Sequence, residues 1–223
     1  MSQRDRVDSV WGIVVAGGSG ARFGQRKQLL ELAGRRVADR ALDALRPFVD
    51  GLIVVIPADL VGAPGGDRFE ADAVVAGGDS RSASVRAGLA HLPATVTHVL
   101  VHDAARPLAD PDLIQRVVAA LSQGDAVVPV VAVADTLRRV SGGPADRADF
   151  VAVQTPQGFG IDALRAAHSS GAEATDDASL IDARGGRVVH VEGNPRNFKI
   201  TVAHDLIVAE ALLRAQPDTA GMA

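Results

Sequence analysis

Residues 10–24 read Val-Trp-Gly-Ile-Val-Val-Ala-Gly-Gly-Ser-Gly-Ala-Arg-Phe-Gly, a β-branched apolar run that ends in clustered glycines, with Lys27 three residues beyond. A run that is apolar continuously, not at alternate positions, is a strand buried on both faces. Similar runs recur at Leu52–Ile56, Ala73–Ala76, His98–His102 and Ala126–Val131. Between and after them come segments with helical spacing, at Val37–Leu45, Ser82–His91, Asp112–Leu121 and Ala203–Ala215. In the last, Leu206, Ala209 and Leu213 form an i, i+3, i+7 stripe. Strands alternating with helices imply a mostly parallel sheet covered on both faces. The expectation is a single-domain α/β fold with a doubly wound, Rossmann-like sheet, occupying residues 8–215. Residues 1–7 and 216–223 are read as flexible tails. In such sheets ligands sit outside the carboxyl ends of the strands, so the loops after Val15, Ala76 and His102 are the ones to inspect.

Composition narrows the function. At 223 residues the chain is long enough for one substantial core. A net charge of −4 without a basic block argues against a nucleic-acid partner, whose phosphates demand clustered cations. The chain has no cysteine, so disulfides and thiolate metal sites are excluded. The polar N-terminus and the lack of a long apolar run point to a cytoplasmic protein with no membrane partner. Of 23 basic residues only Lys27 and Lys199 are lysines. A compact ammonium suits a crowded phosphate site where a guanidinium does not fit, and chance survival on a solvated surface is the plain alternative.

Residues 132–159 break the rhythm. Two extended runs flank a Ser-Gly-Gly-Pro turn, which reads as a protruding antiparallel hairpin. An isolated hairpin is marginal in water. The arm is therefore expected to pack either on a second copy of the chain, as a dimerisation element, or back on its own domain.

Three loops carry the chemistry. Glycines after the first strand let backbone N–H groups approach an anion, and Arg22 and Lys27 supply charge to stabilise a reacting triphosphate. Rival motifs fail in detail. The dinucleotide fingerprint would need glycine where Phe23 stands, the P-loop would need Ser or Thr where Gln28 follows Lys27, and the hydrolase elbow would need glycine at Ala21. The second loop, Gly77-Gly78-Asp79-Ser80, leads into a helix, with Asp79 or Ser80 as its cap and Ser84 placed to read a base or ribose. The third, Val101-His102-Asp103-Ala104-Ala105-Arg106-Pro107, ends a buried strand. Its Asp103 lies where Mg²⁺, or another divalent cation, would be held beside a triphosphate. Alternation puts His102 on the opposite face from Asp103, so His102 reads as structural.

These motifs, with Asp135-Thr136-Leu137-Arg138-Arg139-Val140, Thr155-Pro156-Gln157-Gly158-Phe159, Thr175-Asp176-Asp177-Ala178-Ser179 and the segment Val191–Thr201, resemble the methylerythritol phosphate cytidylyltransferases of isoprenoid precursor synthesis. The resemblance spans Val14 to about Leu212. It implies that Arg22 and Lys27 stabilise the transition state, and that Ala16, Gly17, Gly18, Ser19, Gly20, Gly78, Asp79 and Ser84 bind CTP. It also implies Asp103 as the Mg²⁺ ligand and Arg106, Thr136, Arg147, Thr155, Thr175 and Lys199 as the pocket of a small polyol phosphate. Arg147 and Lys199 would hold the attacking phosphate, with Arg147 reaching the site of a neighbouring subunit in a homodimer. Both lysines fall on positions where the family places phosphate-handling lysines. The sequence departs from the family pattern at Arg26, where proline is usual, and in a short Arg22–Lys27 spacing. The implied reaction transfers CMP from CTP to 2-C-methyl-D-erythritol 4-phosphate. The alternative is another polyol phosphate acceptor, such as ribitol 5-phosphate. An NAD-dependent dehydrogenase is disfavoured by the missing third glycine.

Overall fold

The computed structural model describes residues 9–17, 29–63 and 68–215. In chain order its strands are β1 (Val10–Val15), β2 (Glu31–Leu32), β3 (Arg35–Arg36), β4 (Gly51–Ile56), β5 (Ala73–Ala76), β6 (His98–Asp103), β7 (Ala126–Ala132), β8 (Leu137–Arg138), β9 (Pro144–Ala145), β10 (Val151–Val153), β11 (Gln157–Gly160) and β12 (Val188–Glu192). The helices are α1 (Val37–Leu45), α2 (Arg81–Ala90), α3 (Pro111–Ala119), α4 (Ile161–His168), α5 (Ala178–Asp182) and α6 (Ala203–Arg214). The expected strands and helices are all present, and β2, β3, β11, β12, α4 and α5 are additions.

Eight strands form one sheet in the order β10-β7-β11-β6-β1-β4-β5, with β12 also on β7. Val127 pairs with both Gly158 of β11 and Val189 of β12, so those strands lie on opposite edges of β7. The ladders β6–β1, β1–β4, β4–β5 and β7–β12 are parallel. β11 is wedged antiparallel between β6 and β7, and β10 runs antiparallel to β7 alone. The fold is therefore α/β with a mostly parallel sheet in a single domain.

Continuous burial of the strands has its cause in two apolar layers. Ile53 and Val55 of β4 join Val85 and Leu89 of α2, Leu164 of α4 and Ile181 of α5 on one face. Leu52, Val54 and Ile56 join Leu42 and Leu45 of α1 and Leu113 and Val117 of α3 on the other. Alternate residues of one strand thus serve opposite layers, as a doubly wound sheet requires. A smaller cluster of Leu32, Val37, Ile200 and Ala209 seats α6, with Leu206 and Leu213 packed against it. Among the described residues no helix is long and apolar enough to cross a membrane.

The stretch 132–159 divides into three parts. β8 and β9 form a hairpin whose turn places Gly142 and Gly143 at φ of 102° and 82°, where side chains are strained. β10 returns to the sheet edge on β7, and Gln157, Gly158 and Phe159 are buried in the sheet itself. The projecting hairpin is thus shorter than 132–159, because the last residues of that stretch complete the core. Phe159 has no exposed surface and belongs to the layer of α2, α4 and α5. Phe159→Ala is expected to lower the unfolding free energy by about 3–5 kcal/mol, read from urea denaturation.

Candidate active site

Register brings the three loops to one edge. Val15 pairs with Val55 on one side and Asp103 on the other, and Ile56 pairs with Ala76. Strands β1, β5 and β6 therefore release their chains at the same end of the sheet, where switch-point ligands bind. The Ala16 N–H donates to the Val55 carbonyl at 2.7 Å, and the Gly77 N–H to that of Ile56 at 2.7 Å.

Ser84 joins the first two loops. A Cβ on Gly17 would lie 2.9 Å from its Oγ, and one on Gly77 would lie 2.8 Å from it. Only glycine fits at either place without displacing that hydroxyl. Ser84 is buried and donates to the Ser80 carbonyl at 2.9 Å. Expected as a nucleotide contact, it is placed beneath the loops with its proton already engaged. Ser80, not Asp79, caps α2, accepting from the Ala83 N–H at 2.9 Å. Asp79 and Gly78 are exposed at the loop's crest. Gly18, Ser19, Gly20, Arg22 and Lys27 lie outside the described residues.

Asp103 ends β6 with 7% of its surface exposed. Its Oδ2 accepts from Lys199 Nζ at 2.7 Å and its Oδ1 from Arg81 Nε at 3.1 Å. Burial by itself would raise its pKa, but the charges of Arg81, Lys199 and Arg106 outweigh burial and hold the carboxyl well below the ordinary range. Arg81 also donates through Nη1 to Asp177 Oδ2 at 2.7 Å. Burial opposes the guanidinium charge there, yet Asp103 and Asp177 leave its pKa raised. Arg81 and Asp177 were not picked out from the sequence, although Arg81 directly follows the quoted Gly77–Ser80 loop and Asp177 stands inside the quoted Thr175–Ser179 motif. Their 96-residue separation hides the pair from any local pattern.

The other expected acceptor residues sort by place. Thr155 is buried, and its Oγ1 accepts from the Asp103 N–H at 3.0 Å and lies 2.9 Å from His102 Nδ1. His102 Nε2 lies 3.1 Å from the Arg106 carbonyl, which only accepts, so the proton of a neutral ring sits on Nε2. Nδ1 is then the acceptor, and the Thr155 hydroxyl donates to it. His102 is structural, as expected, and its partners leave it no part as a base. Arg106 donates to the carbonyls of Asn197 and Val153 at 2.8 and 3.1 Å, tying β10 to the segment before Lys199. Thr175 is exposed, two residues from buried Asp177. Thr136 and Arg147 are exposed on the arm, and Arg147 donates to the Ala134 carbonyl at 2.7 Å. Neither is among the hydrogen-bond or ion-pair partners of Asp103 or Lys199.

The site thus sets three cations, Arg81, Arg106 and Lys199, against the carboxylates of Asp103 and Asp177, which suits an anionic ligand. Among the described residues no group of three or more His, Asp or Glu could hold a metal alone. A Mg²⁺ ion normally takes one or two carboxylates, keeps waters and completes its shell with substrate phosphates. Arg81 and Lys199 each engage one oxygen of Asp103, leaving lone pairs on both, so the donor set fits that mode.

A doubly wound sheet with glycine loops and a cation cluster at its carboxyl edge is the architecture of a nucleotidyltransferase. Residues 10–215 match the family described as IspD: 2-C-methyl-D-erythritol 4-phosphate cytidylyltransferase, and the chain belongs to that family. It is 43% identical to the enzyme of that name from Rhodococcus opacus over 212 residues, 90% of this chain and 93% of that protein. The Prochlorococcus marinus enzyme of the same name is 40% identical over 90% of this chain and 96% of its own. The crystal structure of the Thermus thermophilus enzyme superposes with a TM-score of 0.81 at 38% identity, covering 92% of this chain and 99% of that one.

The pKa of His102 carries a prediction. Burial pushes it down from 6.5 to about 4. Between those values the unfolded chain binds a proton that the folded chain refuses, so stability falls as pH falls through this window. The loss is about 3 kcal/mol at most. Urea midpoints should decline between about pH 7 and about pH 4.5, and His102→Gln should flatten that decline.

Proposed function

We propose that the protein transfers CMP from CTP to 2-C-methyl-D-erythritol 4-phosphate, releasing pyrophosphate. The observation that carries the reading is Lys199 bound to Asp103 at the carboxyl end of β6, beside the loops of Gly17 and Gly77. A phosphate oxygen of the acceptor attacks the α-phosphorus of CTP, a new P–O bond forms, and the bond to the β-phosphate breaks. The attacking oxygen is already anionic at neutral pH, so no general base is needed. The requirement is alignment and relief of repulsion between two anions. Gly17, Gly18, Gly20 and Gly78 cradle the nucleotide with backbone N–H groups, alongside Ala16, Ser19 and Asp79, and Ser84 supports the cradle from below. Arg22 and Lys27 neutralise charge at the reacting triphosphate. Among the described residues Lys199 gives one ammonium proton, to Asp103, and the other two hold the acceptor phosphate together with Arg106 and Thr175. Asp103 would hold Mg²⁺, which supplies charge neutralisation to the phosphates.

The arm completes the site from a second subunit in this reading. Val140, Phe150, Val151 and Val153 expose large apolar side chains along it, which favours cover by another copy over free projection. Thr136 and Arg147 would then meet the partner's acceptor. We place the enzyme in the cytoplasm, with CTP and the polyol phosphate as its small-molecule partners.

Pyrophosphate release is the test. CTP with methylerythritol phosphate should yield it; ribitol 5-phosphate alone as the productive acceptor would overturn the assignment, as would no release with either. Lys199→Ala should lower kcat/KM for the acceptor on the order of a hundredfold while CTP affinity stays near the wild-type value. Subunit mixing tests the shared site: Arg147→Ala and Lys199→Ala chains, each nearly inactive, should regain about a quarter of wild-type activity when reassembled together. Mixing that restores nothing would mean that Arg147 serves its own chain.

A further inference from the structure

The ion pair of Asp103 does not end at Arg81. Arg81 Nη1 donates to Asp177 Oδ2 at 2.7 Å, and His168 Nε2 lies 3.0 Å from Asp177 Oδ1. Lys199, Asp103, Arg81, Asp177 and His168 thus form one continuous row of contacts drawn from five parts of the chain. Asp177 has no exposed surface and His168 only 4%. Removing a carboxylate from water costs several kcal/mol unless it is fully partnered, and apolar residues would fill such a place as stably. The buried half of the row touches none of the expected ligand contacts, so packing alone does not account for its being ionic.

Its geometry does. A carboxylate turns broadly about its last torsion, and Lys199, a point charge on a flexible stem, cannot set that angle. Arg81 can, because its guanidinium is planar and is gripped on two edges by two carboxylates. The same grip fastens the segment that bears Thr175. Other links of that segment to α2 are uncharged or exposed: Ser82 Oγ accepts from the Ala174 N–H at 3.1 Å, Arg86 donates to the Ala172 carbonyl at 3.0 Å, and Arg86 meets Glu173 at 2.8 Å.

We propose that Arg81, locked by Asp177 and His168, is a positioning residue that fixes Asp103 and, through it, Lys199, and that ties the Thr175 segment to the same frame. The row registers the acceptor phosphate against the nucleotide. The inference rests on the reading that Lys199 and Thr175 handle the acceptor. Arg81 itself need touch neither substrate.

The experiment compares Arg81→Lys, Asp177→Asn, His168→Leu and His168→Gln in the full chain by steady-state kinetics, CTP titration and thermal unfolding. Asp177→Asn and Arg81→Lys are expected to lower kcat/KM for the acceptor between about tenfold and a hundredfold, as a small misplacement does, while Kd for CTP stays within about threefold. Lysine keeps the charge but can span only one carboxylate, so it carries the test if Asp177→Asn does not fold. His168→Gln, which can still donate to Asp177, should recover acceptor use relative to His168→Leu. Equal losses for both substrates that follow a fall in thermal midpoint would overturn the proposal, as would unchanged acceptor kinetics in Arg81→Lys. A wild-type chain that released no pyrophosphate would instead refute the proposed reaction, which separates the two failures.

Discussion

A carboxylate at the end of a buried strand exists only where cations come to meet it, and the site is arranged around that demand at Asp103. The strand delivers the residue to the sheet's carboxyl edge, where water is scarce. Arg81 arrives from the start of α2, 22 residues away, and Lys199 from a segment 96 residues away. Neither could be lost without leaving a partly uncompensated charge, a defect that costs several kcal/mol. The charge balance also leaves Arg81, Arg106 and Lys199 in excess over the carboxylates they face. That excess is what a phosphate-bearing substrate would meet.

Around this ion pair the neutral hydrogen bonds run in one direction. The Asp103 N–H donates to Thr155, the Thr155 hydroxyl to His102, and the His102 ring to the Arg106 carbonyl. The order follows from the Arg106 carbonyl, which can only accept, and from a ring kept neutral by burial. The Thr155 carbonyl in turn accepts from Asn197 Nδ2 at 2.9 Å, two residues before Lys199. The segment bearing Lys199 is thereby fixed to the strand bearing Asp103 by a link that carries no charge. Burying β11 between β6 and β7 makes this possible, because it brings Thr155 beside the end of β6.

Ser84 shows how a residue expected at a ligand can serve one layer deeper. Its hydroxyl fills the gap left by Gly17 and Gly77, so the two loops share a single support. The glycines are needed for that packing whatever they also do for an anion. Lys199 illustrates the opposite outcome. Its rarity in an arginine-rich chain allowed either a phosphate site or a chance surface residue, and its 2.7 Å bond to a buried carboxylate is not that of a bystander.

Local pattern by itself determined the parallel core. The runs at β1, β4, β5, β6 and β7 and the helices α1, α2, α3 and α6 are written as unbroken apolar stretches and 3.6-residue stripes, signals that need no knowledge of the partner strand. The motifs also placed the loops of Gly17, Gly78 and Asp103 at one edge, since a parallel sheet sends alternate loops to the same end. Tertiary structure alone decided the rest. β11 is four residues long with a Gly at its second position, too short and too poor in β-branched side chains to signal a strand, and it exists because β6 and β7 both pair with it. The row from Lys199 to His168 was equally silent, although Asp177 stood in a recognised motif and Arg81 directly followed one. Charge pairing across 96 residues has no periodicity to read; it is set by which strand ends and helix starts the fold makes neighbours.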